Sequence, residues 1–272
     1  MSKLIEFTKI EATGNDFIFI DARKFPESMF SALMIRKMCD RHFGIGADGL
    51  IFIDDHQEGA FSMNYYNSDG LQANMCANGG RGAVLFAAVS GIIDCEEDVI
   101  FRAADGLHQA KIHSANDIEI ELLYRPLEEK ASFASLALPE EMNIEGFADT
   151  GVPHLVVGCS GDLEKVDVNN LGRSLRFDPL FGQEGTNVNF IKIQSADEIS
   201  IRSYERGIEG ETLSCGTGVA AAAVIFMQKN NKKAPKVTVN SKGGRLFVSF
   251  SNEKLYLRGP VNIVYVGNLH LD

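Results

Sequence analysis

The sequence predicts an α/β (α+β) protein of two homologous halves, each a sheet wrapped around one central helix. Three observations carry that prediction. Motifs recur in the same order at a nearly constant offset, short alternating apolar runs dominate, and each half holds one helix-length segment that is apolar almost all round. A chain of 272 residues is long enough to bury two such cores.

The repeats are individually weak and collectively improbable by chance. "TGNDFIFI" at 13–20 matches "TGVPHLVV" at 150–157, an offset of 137. "GADGLIFI" at 46–53 resembles "TNVNFIKI" at 186–193, an offset of 140. "MNYYNSDG…MC" at 63–76 matches "IRSYERGI…SC" at 201–215, and "GLHQAKIHSANDIEI" at 106–120 has the pattern of "GGRLFVSFSNEKLYL" at 243–257. The expected division is 1–122, joined by 259–272, and 123–258, with 123–148 connecting the halves.

Within the first half, "IEFTKI", "DFIFID", "LIFID" and "FSMNYYN" alternate or run apolar over strand lengths. Residues 25–44 read as a helix, with Pro26 near its start and Gly44 just past its end. After each repeated cysteine comes a helix, 78–90 and 217–229, with charge only near its ends. A helix apolar on every face must be buried, and strands are its natural wrapping. "LHQAKIHSANDIEIELL" and "RLFVSFSNEKLYL" then read as hairpins with polar turns.

Bulk properties exclude several functions. A formal net charge of −11 without a basic run argues against phosphate-backbone binding, so no nucleic-acid partner is expected. The apolar stretches 82–93 and 218–227 fall far short of the ~18 residues that span a bilayer, and "MSKLIEFTKIEATG" lacks a signal peptide's apolar core. No membrane association is expected. Five scattered cysteines, at 39, 76, 95, 159 and 215, suit a reducing cytoplasm better than a disulfide framework.

Some motifs carry little. "GIGADG" (44–49) fits a dinucleotide fingerprint literally, but that motif needs a strand before it and a helix after it, and here the order is inverted. It reads as a turn. Cys39 and His42 have no second ligand pair at metal spacing, so a structural role is expected and no metal. Cys95 and Cys159 read as small buried hydrophobes.

Cys76 and Cys215 differ. Each precedes a small residue, then Asn or Thr, then Gly ("CANG", "CGTG"), then the apolar helix. A thiol at a helix N-terminus meets unpaired N–H groups and the positive end of the dipole, both of which favour thiolate. The dipole is worth about 1 kcal/mol and one pKa unit about 1.4 kcal/mol, so from about 8.5 it cannot ionise both thiols at neutral pH. One thiolate and one thiol is the expected resting pair. Two related halves would set such a pair on opposite sides of one cleft, where one removes a proton from a tetrahedral carbon and the other returns one. The helix starts would hold a carboxylate and the developing carbanion charge. Inversion alpha to a carboxylate needs neither metal nor pyridoxal phosphate by this route, and no cofactor is expected. The bland alternative is two structural cysteines related by duplication, which would not need "NGG" or "GTG" beside them.

"ATGNDF", "FGIGADG", "NSDG…MCANGGR", "TGVPH", "GTNVNF" and "YERGIEGETLSCGTG" together closely resemble the diaminopimelate epimerase family, in order and over nearly the whole chain. The resemblance implies two pseudosymmetric β-barrel-like halves around central helices. It also implies cofactor-independent interconversion of L,L- and meso-diaminopimelate, on the route to lysine and peptidoglycan, in a homodimer. By position it makes Cys76 and Cys215 the acid/base pair, with His154 and Glu205 as an assisting polar pair. Ala77, Asn78, Gly216 and Thr217 would hold the reacting carboxylate, and Asn15, Asn67, Asn187 and Arg206 the amino and distal carboxylate groups. Each has a plainer reading: Asn15 and Asn67 as turn residues, Arg206 with Glu205 as a surface pair, His154 as a loop histidine.

Three positions depart from the family pattern. The usual "MCGNGxRC" is "MCANGGRG", with Ala77 and Gly82 substituted; Val152 replaces a frequent Asn before "PH"; Gly49 stands where some members carry Gln. The last two leave open a related racemase acting on another amino acid, such as proline or histidine. A non-catalytic amino-acid-binding relative is the third possibility, although a binder has no use for a matched acid and base.

Overall fold

The computed structural model describes residues 3–94, 98–125, 133, 135–230 and 235–271. Cys95 lies outside the described residues. The chain divides into two compact units, Met1–Glu121 with Arg258–Asp272, and Leu122–Leu257.

Unit 1 contains β1 (Lys3–Ala12), β2 (Asn15–Asp21), α1 (Ala32–Cys39), β3 (Gly49–Asp54), β4 (Phe61–Asn67), α2 (Ala77–Val89), β5 (Val99–Ala103), β6 (Gly106–Ser114) and β7 (Asp117–Leu122). Unit 2 contains β8 (Met142–Asp149), β9 (Pro153–Cys159), α3 (Val168–Arg176), β10 (Asn187–Ile193), β11 (Glu198–Glu205), β12 (Gly210–Thr212), α4 (Gly216–Lys229), β13 (Lys236–Ser241), β14 (Gly244–Ser251) and β15 (Lys254–Pro260). The chain then returns to unit 1 as β16 (Asn262–Leu271), antiparallel to β1.

The two units share one topology. β1–β2 and β8–β9 are antiparallel, β2–β3 and β9–β10 parallel, β3–β4 and β10–β11 antiparallel, and β4–β5 and β11–β13 parallel. This mixed α/β repeat matches the predicted fold class. The expected hairpins form as β6–β7 and β14–β15.

The central helices are enclosed as their composition requires. α2 touches β1, β2, β3, β4 and β6, and α4 touches β8, β9, β10, β11, β13 and β14. Three glycines in α2 cost helix propensity, of order 1 kcal/mol each, but allow close approach. A Cβ on Gly82 would come within 2.7 Å of the Phe19 ring, and one on Gly79 within 2.9 Å of Ile51 Cδ1. α1 and α3 cover the other faces: Ile35, Met38 and Cys39 pack on Ile18, Ile20 and Phe52, and Leu175 on Leu155, Val157 and Phe190.

Two expectations need correction. The helix anticipated over 25–44 is only α1, preceded by a 3₁₀ turn at Glu27–Met29. Ser31 caps it by accepting a hydrogen bond from Met34 N, and Asp40 ends it by accepting from His42 N and Phe43 N. Polar caps inside the segment override the outer Pro26 and Gly44. The offset of 140 assigned to "GADGLIFI" is also wrong by two. Tyr66 pairs with Leu50 and Tyr204 with Val188, while Phe17 pairs with Gly49 and His154 with Asn187. Gly49 therefore corresponds to Asn187 and Ile51 to Asn189.

Candidate active site

In unit 1 the candidate residues gather where β2 and β3 begin, β4 ends and α2 starts. β1 and β2 are joined through Thr13 and Gly14, with φ of 50° and 94°; a β-branched residue in the left-handed region is strained. That turn meets α2. Asn78 Nδ2 donates to Asn15 Oδ1 at 2.6 Å, and Asn15 Nδ2 donates to Asp48 Oδ2 at 3.0 Å. Arg81, one turn into α2 and 0% exposed, donates through Nη2 to Thr13 Oγ1 (2.9 Å) and Asn78 Oδ1 (3.0 Å). Its Nε and Nη1 have no hydrogen-bond partner among the described residues. Burial draws the Arg81 guanidinium down to about 10, opposed first by the charge of Cys76.

Behind this row lies an ion cluster. Arg41 donates to Asp16 Oδ1 (2.6 Å) and Asp48 Oδ1 (2.7 Å), and Lys9 Nζ lies 2.7 Å from Asp16 Oδ2. Burial would raise the Asp16 carboxyl, but Arg41 and Lys9 together hold it at about 2. Cys76 is the N-cap of α2 with extended dihedrals, and its side chain makes no capping bond. Asn67 closes β4 with an exposed side chain.

Unit 2 builds the matching region differently. Cys215 is the N-cap of α4, again without a capping bond. Its Sγ lies 3.5 Å from Thr217 Oγ1, which lies 3.0 Å from His154 Nε2. His154 Nδ1 lies 3.1 Å from Asn189 Nδ2, and Asn189 Oδ1 accepts from Ser203 Oγ at 2.8 Å. Thr150 Oγ1 donates to the Thr217 carbonyl at 2.8 Å, tying the loop before β9 to the helix start. Burial drives the His154 pKa down to about 3, with the charge of Arg206 adding to it, so the ring is neutral near pH 7.

Asn187 accepts from Arg206 N at 2.9 Å and donates to Pro153 O at 3.1 Å, holding the end of β11 against the start of β9. The Arg206 guanidinium lies 3.7 Å from Glu184. Glu205 ends β11 and its carboxylate accepts the Thr212 hydroxyl. Gly216 is the first residue of α4, as Ala77 is of α2.

The unit 1 candidates Asn15, Asn67, Cys76, Ala77 and Asn78 thus share one end of that unit. His154, Asn187, Glu205, Arg206, Cys215, Gly216 and Thr217 lie at the strand ends and helix start of unit 2. Thr13, Asp48 and Arg81 in the first cluster and Asn189 and Ser203 in the second were not anticipated. Cys39 is buried in the α1 core, where desolvation pushes its thiol up to about 12, a structural position. "GIGADG" is a loop, and Lys9 Nζ donates to the Gly46 carbonyl within it. Among the described residues no group of three or more His, Cys, Asp or Glu side chains could hold a metal ion, and no helix is long and apolar enough to cross a membrane.

Repeated α/β units of this kind define a fold class seen in solved structures. A PhzF-family phenazine biosynthesis protein of Bacillus anthracis superposes with a TM-score of 0.73 at 14% identity, over 98% of this chain and 99% of that one. A probable proline racemase of Agrobacterium radiobacter gives 0.69 at 13%, over 98% and 93%. At such identities the likeness is one of fold. The sequence goes further. A diaminopimelate epimerase family model matches residues 7–122 and 146–264. The diaminopimelate epimerase of Flavobacterium psychrophilum is 43% identical over 94% of this chain and 97% of its own, and that of Aquifex aeolicus 40% over 97% and 98%. The chain belongs to the diaminopimelate epimerase family.

Proposed function

We propose that this protein is a cofactor-independent isomerase that interconverts L,L- and meso-diaminopimelate through Cys76 and Cys215. The observation that carries the reading is the placement of one cysteine at the N-cap of each unit's buried helix. In one direction a thiolate takes the alpha proton and the other thiol delivers a proton to the opposite face. The electron pair rests meanwhile on the alpha-carboxylate, held by the first-turn N–H groups of α2 and α4 with Ala77, Asn78, Gly216 and Thr217. Asn15, Asn67, Asn187 and Arg206 bind the amino groups and the distal carboxylate, and His154 and Glu205 tune the thiols. The domains in this reading are the two homologous halves, and the protein is a cytoplasmic homodimer.

The test is incubation of purified protein, without added cofactor, with L,L-diaminopimelate in heavy water. Inversion accompanied by alpha-deuteration is the expected result. Val152 and Gly49 make other amino acids the necessary comparison. Activity confined to proline or histidine would replace the substrate assignment, and binding without exchange would replace the enzyme by a binder.

A further inference from the structure

The hydrogen-bond chain beneath Cys215 has a direction, and one residue sets it. The Leu155 carbonyl can only accept, and Asn189 Nδ2 lies 3.3 Å from it. That contact fixes which end of the Asn189 amide is which, with Ser203 Oγ donating to Oδ1 on the other side. Asn189 therefore presents a donor to His154 Nδ1, and a neutral imidazole accepting there carries its proton on Nε2. Nε2–H then donates to Thr217 Oγ1. The only proton left on that hydroxyl is its own, and Cys215 Sγ lies within reach of it.

Turning the amide over would set Oδ1 against the Leu155 carbonyl, two acceptors face to face. The first turn of α4 also packs closely on it, since a Cβ on Gly218 would sit 2.3 Å from Asn189 Oδ1. Nor is the polarity a packing need. His154 and Asn189 are 0% exposed and Ser203 3%, and burying such groups costs free energy unless every bond is made. Unit 1 fills the corresponding positions with Phe17, Ile51 and Tyr65, and Gly79 packs against Ile51 and Phe17 where Gly218 packs against Asn189. Only one of the two cysteines sits above a polar relay at these positions.

We propose that Asn189 is a positioning residue that locks His154 in its Nε2–H form, so that Thr217 donates its hydroxyl proton to the Cys215 sulfur. The proposal rests on Cys215 being an acid/base residue. A donor aimed at sulfur stabilises thiolate over thiol, so the relay favours the ionised form of Cys215. Arg206, at the end of β11, is the charged group acting on His154 and stays in place in every variant below.

The test reads the ring and the sulfur separately from turnover. Nitrogen NMR of histidine-labelled protein should show His154 protonated on Nε2. Iodoacetamide alkylation of Cys215 is followed against pH, with Cys76 in the same digest as reference. Asn189→Leu removes the donor without adding charge and should raise the Cys215 alkylation midpoint by about one pH unit, a tenfold slower reaction below it. Thr217→Val should give the same shift, and combining it with Asn189→Leu should add nothing further. An Nδ1-protonated His154 in the unaltered protein overturns the proposal, as does a Cys215 midpoint that moves no more than that of Cys76. Protein that shows the ring and alkylation results but leaves diaminopimelate unchanged would overturn the proposed substrate, not the relay.

Discussion

Cys76 and Cys215 occupy equivalent caps on unequal foundations. One stands a turn away from a buried guanidinium, the other above a neutral imidazole. Replacing either by Ala should lower epimerisation by ~10²–10⁴-fold, the usual worth of a positioned acid or base, as read by chiral chromatography of the product. His154 makes a separate prediction through its folded pKa of about 3 against an ordinary 6.5. Between those values the unfolded chain binds the proton and the folded chain does not, so stability falls as pH drops through that window. Melting temperatures measured from pH 7 to pH 4 should decline, and His154→Gln should flatten the decline by up to one proton's contribution. The cysteines were legible because each closes a polar stretch and opens a small, glycine-rich one that leads into an all-apolar helix. Asn189 was not, since it sits inside "NFIKI", an apolar run whose period marks only a strand. Arg81 was hidden by its helix, because nothing in "GGRGA" shows that the turn of β1–β2 closes over it.

At the scale of the element, the departures from the family pattern have local compensation. A Cβ on Gly82 would meet the Phe19 ring at 2.7 Å, and one on Gly49 would meet the Tyr65 ring and the Tyr66 carbonyl at 2.5 Å. At both positions a neighbour already occupies the space that a side chain would need. Gly82→Cys should therefore overpack the contact with β2 and destabilise by about 1–3 kcal/mol, seen as a lower urea midpoint. The buried helices were readable to within a residue at their starts because apolar residues on every side leave one solution. α1 was overestimated because its boundaries depend on hydrogen bonds from Ser31 and Asp40, which compete locally with Pro and Gly signals at the ends of the same segment.

For the whole molecule, β16 stands at one end of the strand order, paired among the described residues only with β1. Ile263, Val264, Tyr265 and Val266 are consecutive and exposed, so both faces of this edge strand are apolar and uncovered. That is the surface on which the proposed homodimer would form. Sedimentation should give a dimer for the unaltered protein and a monomer for the double variant Val264→Lys, Val266→Lys. The two-base reaction also requires both sulfurs to reach one carbon. Mild oxidation should then link Cys76 to Cys215 and abolish activity until reductant is added, and peptide mapping that finds neither residue cross-linked would count against the mechanism.

β16 has another consequence, for biogenesis. It supplies the antiparallel neighbour of β1 along nine residue pairs, from Lys3↔Leu271 to Glu11↔Asn262. Until β16 has left the ribosome, β1 has an open edge and unit 1 lacks a wall. Unit 2, whose residues are contiguous, can thus close before unit 1, whose β1 waits for β16.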